Sequence, residues 1–161
     1  MYFKKPVSFV EVVLAIIKRF SSAKRERLTI INKRQRLAQI YNDALQDLDG
    51  ISLIKQSENI RSPYYKYIVY LDDKYERDKI KTKLKNDFKV SLPGEVYSQL
   101  CHSQPVFNKY TELVLNDPKD QFPGAEYVSN QQICLPLYPD LRVDELMYVV
   151  DSLRSVLDSL N

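Results

Sequence analysis

Between Val143 and Leu160 the apolar residues fall in one stripe: Leu146, Val149, Val150, Leu153, Val156, Leu157 and Leu160. That spacing predicts a helix with a single buried face, which must lie against a sheet or other helices. Strands to receive it are visible upstream. Tyr64 to Leu71 is a run of aromatic and β-branched residues bounded by Ser62-Pro63 and Asp72-Asp73, the strongest strand signal in the chain. Ile51 to Ile54 and Val90 to Leu92 read as short strands, and Ile133 to Leu137 as one that Pro136 places at an edge or brings to an end.

Helices fill the remainder. Residues 7–47 read as helix in two pieces, the first dense in apolar residues and the Ser21-Ser22 pair marking the bend or interruption. The second piece carries Leu28, Ile31, Leu37, Ile40, Tyr41, Ala44 and Leu45 near i, i+3, i+4 spacing, and Gly50 stops it from the left-handed C′ position. Glu76 to Phe88 predicts a charged helix burying Ile80, Leu84 and Phe88. A short helix from Val106 to about Leu115 and a helical turn near 125–131 follow. Strands and helices mix without strict alternation, which points to an α+β fold: a small, mostly antiparallel sheet covered on one face by helices, with a long N-terminal helical arm. At 161 residues the chain is one domain with an appended arm, divided as 1–47 (apolar, then basic) and 48–161.

Charge is uneven. Residues 1–36 hold ten Lys or Arg against Glu11 and Glu26, a net of +8; the whole chain is +3, so residues 37–161 carry −5. A basic helical arm can serve nucleic acid, anionic lipid, or simply solvent on the face opposite its packing. With no interleaved aromatic platform beyond Phe20, the solvated face is the expectation, and no nucleic-acid partner is assigned. The stretch Val7 to Ile17 after Lys4-Lys5 imitates a signal peptide, but Glu11 interrupts it and Lys18-Arg19 follows directly. It falls short of the roughly 20 apolar residues a membrane span needs. Cys101 and Cys134 sit in apolar or aromatic surroundings, which suits buried free thiols in a reducing cytosol, so a cytoplasmic location is expected. Twelve tyrosines and no tryptophan suit half-buried sheets and interfaces.

Catalytic chemistry is thin. Three glycines supply no Gly-rich phosphate cradle, and His102 as the single histidine excludes a multi-histidine metal site. The carboxylate pairs Asp72-Asp73, Asp117/Asp120 and Asp144-Glu145 read as structural, the last in the first turn of a helix, where negative charge complements the dipole. From the residues alone the chain is a soluble α+β domain with no catalytic residue and no metal ligand of its own.

A resemblance runs through most of the chain. Lys33-Arg34 followed by spaced Ala38, Tyr41 and Leu45, the break at Leu48 and Gly50-Ile51, the strand from Tyr64 to Val69, and Arg77-Asp78 come in this order. Leu92-Pro93-Gly94-Glu95-Val96-Tyr97 leads to Cys101-His102-Ser103-Gln104-Pro105-Val106-Phe107. The ending holds Gly124-Ala125-Glu126-Tyr127, Ser129 and Ile133-Cys134-Leu135-Pro136. The ordered set resembles the C-terminal small domain of the DegT/DnrJ/EryC1/StrS sugar aminotransferases, fold type I enzymes that use pyridoxal phosphate (PLP). The resemblance implies a nucleotide-sugar aminotransferase whose cofactor lysine lies in a large N-terminal domain. On that reading this chain lacks the lysine, binds no PLP by itself and is inactive alone. Its partner is the large PLP-binding domain or a second subunit, and a homo-oligomer is expected. The alternative is a non-catalytic scaffold or regulatory domain that oligomerises through helix 7–20.

The resemblance also implies site residues. Lys5 stands where the family carries an arginine that reaches the cofactor phosphate of the neighbouring subunit; it offers a point charge without the bidentate fork. Tyr97, His102 and Gln132 fall at substrate or interface positions. Ser62 or Pro63 replaces a histidine usual before the Tyr64 strand, and Gln131-Gln132 replaces a basic or histidine position.

Overall fold

The computed structural model describes residues 9–57, 59–92, 94, 99–110 and 122–160. Its elements are α1 (Phe9–Leu45), β1 (Ile51–Leu53), β2 (Tyr67–Leu71), α2 (Arg77–Phe88), a 3₁₀ turn (Cys101–Ser103), α3 (Pro105–Lys109), α4 (Pro123–Gln131), β3 (Gln132–Leu135) and α5 (Val143–Asp158). The α+β architecture expected from the sequence is the one found. The strands form one antiparallel sheet in the order β1-β2-β3. Val69 faces Leu53 on one side and Ile133 on the other, so one face of the sheet is apolar across all three strands. Tyr67, Val69 and Leu71 on that face are buried, together with Ile133 and Leu135. The edge position expected for the Ile133 strand is correct, and the strand stops just before Pro136.

Helices α1, α2 and α5 close this face. Leu37, Ala38, Tyr41 and Leu45 of α1, Ile80 and Leu84 of α2, and the stripe of α5 join the sheet residues in one apolar cluster. On α5 the stripe is buried from Leu146 to Leu157, but Leu160 lies beyond the helix end and is exposed, which corrects the last member of the expected set. The start of α5 is fixed as its acidic first turn suggests: the Arg142 backbone N–H donates to Glu145 Oε2 at 3.0 Å.

Several expectations need correction. The long helix is not in two pieces; α1 runs unbroken for 37 residues through Ser21-Ser22. The Ser21 hydroxyl donates to the Lys18 carbonyl at 3.0 Å, so the polar side chain bonds within the helix instead of competing with it. Leu28 is exposed, and from residue 21 onward along α1 the first buried side chain is Leu37. Gly50 is not the C′ residue of α1, which ends at Leu45. It holds φ +87° in the turn into β1, and its carbonyl accepts from Asp72 N–H at 3.0 Å. Val90 to Leu92 is no strand. Lys89 adopts φ 58° after α2, and the Val90 N–H donates to the Leu84 carbonyl at 2.9 Å. That folds Val90 into the core as a cap on α2, with its donor unavailable to a ladder. The helix expected over 106–115 is α3, shorter and starting one residue earlier, and residues 111–121 lie outside the described ones. Cys134 is buried, but Cys101 is exposed; both are free thiols.

The tyrosines account for much of the joint between α1 and the sheet. Tyr41 and Tyr67 stack at 4.6 Å, and Tyr64 stacks on Tyr67 at 6.2 Å. The Tyr41 hydroxyl donates to the Pro136 carbonyl at 2.9 Å, and that of Tyr67 to Asn42 Oδ1 at 2.7 Å. Burial, reinforced by the neighbouring phenols, pushes both hydroxyls well above the usual 10.0. The unfolded chain therefore releases these protons at lower pH than the folded one. Their contribution to stability is intact below pH 10 and is lost as pH climbs toward the raised folded-state values. Urea midpoints measured across this range should fall above about pH 10, and Tyr41→Phe should flatten the decline. A midpoint independent of alkaline pH in the parent protein would refute this.

Candidate functional site

The sequence singled out Lys5, Tyr97, His102 and Gln132. Lys5 and Tyr97 lie outside the described residues. His102 sits in the 3₁₀ turn, half-buried, with its ring stacked on Phe122 at 4.6 Å and its Nε2 3.6 Å from Glu126 Oε1. Gln132 opens β3, is buried, and faces Tyr70 across the ladder. His102 therefore touches the N-terminal end of α4, whereas Gln132 follows its C-terminal end. At the rise of an α-helix these ends stand roughly 15 Å apart. The structure attaches both residues to one helix without bringing them together.

The helix α4 that separates them is tied down by contacts the sequence did not reveal. Arg77, at the start of α2, donates through a guanidinium nitrogen to the Ser129 carbonyl at 2.5 Å. Gln131 Nε2 donates to Asp73 Oδ1 at 3.3 Å. The β2–α2 corner thus holds the second half of α4, and with it the entry into β3. Arg77 followed by Asp78 reads locally as an ordinary helix start, so no signal short of the tertiary fold could have given its partner.

A hollow of about 590 Å³ opens between the end of α2 and the start of α5. Lys89, Arg142, Asp144, Glu145, Tyr138 and Tyr148 are among its lining residues. Lys89 Nζ turns back onto the Asn86 carbonyl at 2.8 Å, and Arg142 Nη2 pairs with Asp144 Oδ2 at 2.8 Å. Both of these cations are thereby engaged within the protein. Among the described residues no group of three or more His, Cys, Asp or Glu could hold a metal ion, and no helix is long and apolar enough to cross a membrane.

An architecture with this geometry has known counterparts. The model of the DegT/DnrJ/EryC1/StrS aminotransferase family matches residues 22–154. The chain belongs to this family. It is 24% identical over 127 residues to the spore coat polysaccharide biosynthesis protein SpsC of Bacillus subtilis, covering 77% of this chain and 31% of that one. It is 26% identical over 113 residues to the dTDP-4-amino-4,6-dideoxy-D-glucose transaminase of Escherichia coli, covering 69% and 29%. Among solved structures, the aminotransferase TlmJ from Streptoalloteichus hindustanus superposes with a TM-score of 0.71 at 25% identity, over 87% of this chain and 35% of that one. NtdA from Bacillus subtilis, solved with bound cofactor PMP, gives 0.66 at 28% identity, over 80% and 28%. The chain spans about a third of the length of the family members it matches.

Proposed function

We propose that this chain is the C-terminal small-domain portion of a PLP-dependent aminotransferase acting on a nucleotide-linked sugar. The observation that carries the reading is the ordered correspondence of α1, the three-stranded sheet and α5 with about a third of an aminotransferase chain. When bound, PLP supplies the electron sink for moving an amino group between donor and sugar. On this reading the lysine that holds it belongs to a large domain, and the residues present here shape the cleft. Lys5 is the position we assign to the cofactor phosphate of a neighbouring subunit, and Tyr97, His102 and Gln132 are those we assign to the substrate or subunit boundary. The location we assign is the cytoplasm.

A second reading has its own support. Residues 21–29 of α1 are exposed on every side, and Leu14 is half exposed. A helix that long without tertiary cover is marginal in water, so a scaffold that oligomerises through residues 7–20 also accounts for it. One sample separates the two. Purified chain incubated with PLP, desalted and treated with borohydride should retain no cofactor, and light scattering on it reports the mass. Cofactor fixed to a lysine of this chain would overturn the first reading. A strict monomer at high concentration would remove the second.

A further inference from the structure

We draw no further inference here: the strongest candidate, the exposed basic stretch of α1 at Lys24, Arg25 and Arg27, carries nothing because nothing in the structure shows what covers it.

Discussion

Leu153→Ala is expected to lower the unfolding free energy by about 3 kcal/mol, within the roughly 2–5 kcal/mol typical of a buried leucine truncated to alanine. Leu153 is fully buried in the middle of the α5 stripe, inside the cluster that α1, α2 and the sheet share. Removing it costs the transfer of its apolar atoms and leaves a cavity that three neighbouring layers cannot easily fill. Against a net stability of about 5–15 kcal/mol this is a large fraction. Urea unfolding followed by far-UV circular dichroism is the suitable measurement, since the chain contains no tryptophan. Met147→Ala, an exposed position on the same helix, should cost about 0.5 kcal/mol or less. A loss below about 1 kcal/mol for Leu153→Ala would mean that α5 is not part of a close-packed core.

Gly50→Ala should destabilise by about 2 kcal/mol or more, an unusual cost for adding one methyl group. Two effects combine. The residue holds φ +87°, where an L side chain is strained, and an added Cβ would stand 2.6 Å from Tyr75 Cε2. Relief by moving the ring is not cheap, because Tyr75 is buried in the core cluster. The steric part can be isolated with Tyr75→Ala. The double variant should cost less than the sum of the singles, with a coupling of about 1 kcal/mol. Strict additivity would show that only backbone strain matters at this turn.

The parts of the fold legible in the sequence are those where a local pattern carries the information. The stripe of α5 and the pair Ile80 and Leu84 repeat at helical spacing, and the buried, half-buried alternation of Tyr67 to Leu71 repeats at strand spacing. The misreadings share one cause. Ser21-Ser22, Gly50 and Val90 to Leu92 carry local signals that a partner elsewhere decides: a carbonyl one turn back, the Tyr75 ring, and the end of α2. Of the site, the sequence could name His102 and Gln132 but not that α4 holds them apart, because the contacts of His102 with Phe122 and Glu126 belong to the tertiary fold.

By itself the sequence determined most of the element types, the apolar faces and the membership of the aminotransferase family, because periodicity and ordered motifs survive without coordinates. Only the tertiary structure decided which partners the charged side chains meet. Lys89 and Arg142 look as available in the sequence as Arg61 does. Folding turns Lys89 onto a carbonyl, Arg142 onto a carboxylate and Arg61 onto the carboxamides of Gln35 and Asn32. Electrostatic character is a property of three-dimensional neighbours, and residues 26 or 29 positions away supply those neighbours here.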